Sequence, residues 1–97
     1  MNKKKVVLFN PKASMTLPYD GPPIALLMVA SLLDPKEYDI KIIDWHYSNF
    51  KERIKNECKD AALFGVSCLT GYQIKGMKES VELAKQANPN IKVVCGG

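Results

Sequence analysis

Ser67 and Thr70 stand three positions apart just after an apolar run, and Gly96-Gly97 follow another such run, Val93-Val94-Cys95. Residues of these types hold a ligand rather than attack one. A serine hydroxyl meets a polar edge, and a threonine at a helix start satisfies a backbone N–H beside a terminus that also attracts phosphate. Glycine has no Cβ, so a Gly-Gly at a strand end marks either a sharp turn or a place where a ligand approaches the backbone closely. Groupings able to react are missing. His46 is the one histidine, which excludes a triad or a multi-histidine metal site, and beside Trp45 it reads as a loop residue. Cys58, Cys68 and Cys95 are widely spaced with no Cys-x-x-Cys, so they read as reduced, mostly buried thiols rather than zinc ligands. No residue is assigned a catalytic or metal-ligating role.

The chain that must position these groups has 97 residues, enough for one domain with one modest core. An apolar share of 46% beside a charged share of 25% excludes a disordered or low-complexity chain. The formal charge of +4 includes Lys3, Lys4 and Lys5 at the amino end, and the single arginine, Arg53, sits among scattered lysines. Nucleic-acid binding is therefore not expected. Val6 to Phe9 is too short for the core of a signal peptide, and Ile24 to Leu33 is about half a membrane span, which leads to the expectation of a cytoplasmic protein.

Apolar runs and breakers alternate along the chain. Lys5 to Asn10 reads as a strand covered on both faces, closed by Asn10-Pro11. Pro22-Pro23 opens a helix whose body is Ile24 to Leu33, and Asp34-Pro35 ends it. Tyr38 to Asp44 is a second strand. Asn49 and Glu52 form a near capping box ahead of a stripe of Phe50, Ile54 and Cys58, a short and mostly solvated helix. Ala61 to Leu69 is a third strand. Thr70 and Gln73 make another capping box, and Ile74, Met77, Val81, Ala84 and Ala87 recur at helical spacing until Asn88-Pro89. Met28 and Met77 are assigned to the core with these stripes, and Ile91 to Cys95 is a fourth strand.

This β-α-β-α-β-α-β order predicts an α/β fold, a three-layer doubly wound and mainly parallel sheet of flavodoxin-like or Rossmann-like topology. Such sheets usually carry five or more strands. The expectation is an incomplete domain over residues 1–97, truncated after about four strands.

In open α/β sheets ligands bind outside the carboxyl ends of the strands. After the first strand comes Asn10-Pro11-Lys12-Ala13-Ser14-Met15, with neither the glycines of a dinucleotide fold nor a phosphate loop, so NAD and ATP are not expected and Asp44 alone does not make a ribose site. A phosphoacceptor domain needs acids where this chain has Asn10 and Ser67. Ser14 and Thr16 are a faint echo of the phosphate loop of flavodoxins.

Val6-Val7-Leu8-Phe9-Asn10-Pro11, the segment Gly21 to Leu33, Asp39-Ile40-Lys41-Ile42-Ile43-Asp44, Gly65-Val66-Ser67-Cys68-Leu69-Thr70 and Val93-Val94-Cys95-Gly96-Gly97 together resemble the start of cobalamin-binding radical S-adenosylmethionine enzymes. The resemblance implies a flavodoxin-like B12 domain, in a family of methyltransferases and of ring-forming or rearranging enzymes. It implies cobalamin as the cofactor here, with a 4Fe-4S cluster and S-adenosylmethionine in a downstream radical domain that these residues do not include. Cys58, Cys68 and Cys95 do not form that domain's Cys-x-x-x-Cys-x-x-Cys motif, so catalysis by this portion alone is not expected. Also missing is the Asp-x-His-x-x-Gly motif whose histidine ligates cobalt in methionine synthase and the mutases. The resemblance places the nucleotide tail of cobalamin beside Ser67, Thr70, Gly96 and Gly97, with Asn10, Pro11 and Leu69 near the corrin.

A different class of function also accommodates the sheet: a non-catalytic flavodoxin-like module that binds a ligand or another protein. Either way, an incomplete sheet exposes an edge or a face, and self-association through it is expected.

Overall fold

Val6, Val7, Leu8 and Phe9 are all buried, which a strand achieves only when both of its faces are covered. The computed structural model describes residues 3–12, 24–68 and 71–96, and places these four in the middle of a parallel sheet. Seven elements follow in order: β1 (Lys4–Asn10), α1 (Ile24–Ser31), β2 (Tyr38–Asp44), α2 (Phe50–Cys58), β3 (Leu63–Ser67), α3 (Gly71–Ala87) and β4 (Lys92–Gly96). The strands lie in the order β2-β1-β3-β4, all parallel, as expected of the α/β class.

Register sets the two faces. Leu8 pairs with Gly65, and Gly65 with Val94; one step along, Phe9 pairs with Val66, and Val66 with Cys95. Because side chains alternate across a strand, these neighbouring rows face opposite ways. Val7, Phe9, Ile43, Phe64 and Val66 meet Ile54 and Cys58 of α2 and Ala84 of α3 in the larger core. Val6 and Leu8 meet Leu26 of α1 in a smaller one, with Ile40, Ile42 and Leu63 at its margin.

Cover is therefore unequal. The stripe Ile54 and Cys58 is buried as expected, and Phe50 stacks on Phe9 with ring centroids 5.4 Å apart. On the other face α1 packs on β1 and β2, while Val94 of β4 stays 55% exposed.

Several expectations need correction. The first helix ends at Ser31, whose hydroxyl donates to the Met28 carbonyl, and Leu32 and Leu33 continue only as a turn bonded to Val29 and Ala30. Met28 is 65% exposed rather than core, because α1 is apolar all round and the sheet takes only one side of it. Ile74 is likewise exposed, on the outer side of α3, whereas Met77, Val81 and Ala84 face the core. The third strand is shorter than expected, since its first residues, Ala61 and Ala62, form the approach to it. Asn49 begins α2 without a side-chain cap hydrogen bond, so its pairing with Glu52 is not a capping box. Of the thiols, Cys58 is buried, Cys68 half-buried and Cys95 exposed.

Polar ties close the lower end of the sheet. Lys5 Nζ lies 2.7 Å from Glu57 and 2.8 Å from Asp60, joining β1 to the end of α2. Asn88 Nδ2 donates to the carbonyls of Cys58 and Ala61, which satisfies the end of α2 from the end of α3. No helix among the described residues is long and apolar enough to cross a membrane.

Candidate functional site

Among the described residues, two hollows open beside the carboxyl ends of the strands, one on each face of the sheet. On the α1 face a groove of about 190 Å³ runs between α1 and the strands β1, β3 and β4. Leu8, Leu26, Val29 and Val94 form its apolar walls, and Gly65, Ser67 and Gly96 its small-residue course.

Alternation brings those three together. Gly65 and Ser67 are two apart on β3 and so share a face, and Ser67 pairs with Gly96 across to β4. The two glycines differ physically. A Cβ at Gly65 would lie 2.8 Å from Leu8 Cδ2, so this glycine permits tight packing under α1. A Cβ at Gly96 would meet nothing within 4 Å, so the space above it is open. Ser67 is 6% exposed and puts a hydroxyl into an otherwise apolar course.

The first strand end is built differently. Asn10 Nδ2 donates to Asp44 Oδ1 at 3.2 Å, joining the tips of β1 and β2, and the Asn10 carbonyl accepts from the Trp45 N–H. Pro11 is fully buried; its carbonyl accepts from Gln73 Nε2 at 2.8 Å, and its ring abuts Gly76, where a Cβ would lie 2.8 Å from the Pro11 Cβ. Gln73 and Gly76 thereby anchor the start of the loop to α3. His46 sits exposed in the turn after β2, edge-on to Trp45, in keeping with the loop assignment.

A flat, largely apolar ring system fits such a groove, because its faces lie against aliphatic walls and only small side chains interrupt its path. A family model described as the B12 binding domain matches residues 13–97. The chain belongs to the B12-binding domain family. Neither the curated proteins nor the solved structures give a match. Family membership supports cobalamin as the ligand.

In this B12-binding domain the expected residues divide. Ser67 and Gly96 share the groove, whereas Pro11 faces the second hollow and Asn10 is engaged with Asp44. Leu69, Thr70 and Gly97 lie outside the described residues, as do Ser14 and Thr16. Sequence reasoning missed Gly65, although its spacing of two from Ser67 was the available signal. It also missed the wall residues Leu8, Leu26, Val29 and Val94, which only strand order and register bring together. Among the described residues no three His, Cys, Asp or Glu side chains converge on a metal position.

Proposed function

We propose that this domain holds the nucleotide tail of cobalamin in the groove on the α1 face and presents the cofactor to a downstream 4Fe-4S and S-adenosylmethionine domain, in a methyltransferase-type radical enzyme. The observation that carries the tail assignment is the course of small residues Gly65, Ser67 and Gly96 between aliphatic walls, with open space above Gly96. Cobalamin, when bound, supplies a cobalt centre able to carry a methyl group, and the domain's own residues bind and orient it. Leu8, Leu26, Val29 and Val94 exclude water from the tail, and the Ser67 hydroxyl meets a polar edge. Thr70 and Gly97 complete the same strand-end site in this proposal, and Asn10, Pro11 and Leu69 stand on the corrin side. The resemblance of the five segments to cobalamin-binding radical enzymes supports the partner domain.

Titration with hydroxocobalamin, followed by absorbance, tests the first part. A saturable spectral change is expected, and its absence from the protein carrying this domain overturns the assignment. The partner domain is tested separately, by the coding sequence that continues this one: a Cys-x-x-x-Cys-x-x-Cys motif about one domain downstream is expected. A continuation without it leaves a cobalamin-binding module of another kind.

A further inference from the structure

The second hollow is the larger, about 370 Å³, and lies on the opposite face of the sheet, between the tip of β1 and the helices α2 and α3. Of its lining, the cobalamin proposal uses Pro11 alone. Its apolar lining includes the rings of Phe9, Phe50 and Trp45, the first two stacked at an interplanar angle of 14°. Around them stand three ammonium groups, on Lys12, Lys51 and Lys75, against one carboxylate, on Glu79. None of the three lysines has an ion-pair partner among the described residues; Lys12 instead lies over the Trp45 ring, 5.0 Å from its centroid.

Two features favour an anion further. Phe50 and Lys51 belong to the first turn of α2, where the helix dipole is positive and Asn49 supplies no side-chain cap; Glu52 of the same turn carries the opposite charge but does not line the hollow. The hollow is also preformed, because the Gln73 bond to the Pro11 carbonyl and the close contact at Gly76 fix the wall that β1 and α3 share. Aromatic faces, surplus positive charge and a volume within the usual range for small-molecule sites coincide in one place.

We propose that this hollow is a second ligand site, for a small planar aromatic anion: a single ring system bearing a phosphate or a carboxylate. The ring lies against Phe50 and Trp45, with the buried Phe9 ring stacked behind Phe50, and the charged group reaches Lys51 and Lys75. Lys12 swings between the Trp45 face and the ligand. The site is separate from the groove proposed for the nucleotide tail, since β1 and its neighbours lie between the two, and only Pro11 is shared with the corrin side.

Trp45 is the only tryptophan, so its fluorescence reports on this wall alone. The protein is titrated with phenyl phosphate and with benzoate, and in parallel with inorganic phosphate and with benzylamine. Saturable changes are expected with the two aromatic anions and binding at least tenfold weaker with the controls. Lys51 and Lys75 are exposed, so a Lys51→Gln, Lys75→Gln double variant keeps its fold by circular dichroism while losing at least tenfold in affinity; Lys75→Arg retains binding. No saturable response to either aromatic anion overturns the proposal. So does equal binding of inorganic phosphate, or an unchanged affinity in the double variant.

Discussion

A Gly96→Val variant is expected to fold as the parent does and to lose cobalamin. Its added Cβ meets nothing within 4 Å, and no left-handed backbone conformation restricts the site. In strand β4 a β-branched residue is if anything favoured, by up to about 1 kcal/mol. Binding is another matter, because the new isopropyl group stands in a groove of about 190 Å³. An aromatic base of indole size buries roughly 150 Å², so full exclusion of the tail forfeits about 4 kcal/mol at ~25 cal/mol per Å². Partial accommodation with strain costs about 1–3 kcal/mol. The affinity for hydroxocobalamin is thus expected to fall by between about tenfold and a thousandfold. Absorbance titration measures it, with thermal melting by circular dichroism as the control for folding. A variant that melts like the parent and binds within threefold of it refutes the passage of the tail over Gly96. Gly65→Ala is the contrasting case. Its Cβ falls 2.8 Å from Leu8 Cδ2 beneath α1, and the shift forced on the buried Leu8 is expected to cost about 1–3 kcal/mol of stability.

Gln73→Leu leaves the buried Pro11 carbonyl without its donor, an expected loss of about 1–3 kcal/mol, seen as a drop of about 4–8 °C in Tm for each kcal/mol. Burial pushes the Cys58 thiol up to about 11, and Cys95 is exposed, so alkylation near pH 8 is expected to label Cys95 and spare Cys58. Peptide mass mapping checks this, and equal labelling in the folded protein refutes it. Burial of the Lys5 ammonium lowers its pKa, but hydrogen bonds and charges from Asp60 and Glu57 together outweigh it, and the pKa ends raised. The hydrogen bond from Lys5 in turn lowers that of Asp60. The Asp60 contribution is present above its ordinary 3.8 and lost as pH falls through the folded value; the Lys5 contribution is present below 10.5 and lost as pH rises through the folded value. The Tm gap between parent and Lys5→Met is accordingly expected to be flat between these limits and to narrow beyond both, and a gap that persists at both extremes refutes the pairing.

The alternation of apolar runs with polar or Pro breakers made the element order legible in the sequence, because each run is long enough to bury and Pro11, Pro35 and Pro89 stop three of them. Burial was less legible where an element is apolar on every side. In α1 nothing in Ile24 to Ser31 distinguishes the side that meets Leu8 from the side that leaves Met28 in solvent. That Ser67 and Gly96 share one edge of the sheet was readable because both follow apolar runs at strand ends. The groove walls and the second hollow were not, since Leu8 meets Val94 only through Gly65, and Phe9 meets Phe50 across 40 intervening residues of chain. The Gln73 side chain shows the same limit: its place after Thr70 suggested a local cap, and its amide reaches across the fold to Pro11.

The order β2-β1-β3-β4 also governs how the chain comes together. β1 is synthesised first but sits between β2 and β3, so Val6 to Phe9 wait for partners that lie far ahead in the sequence. Val7 cannot pair with Lys41 until the first crossover is complete, nor with Phe64 until the second has been made. Every sheet contact is therefore long-range, which places the domain among slow folders for its size. Until then the apolar run Val6 to Phe9 is without its partners, and the lysines at its amino end, Lys3, Lys4 and Lys5, are a charged flank of the kind that keeps such a segment from pairing with its own copies.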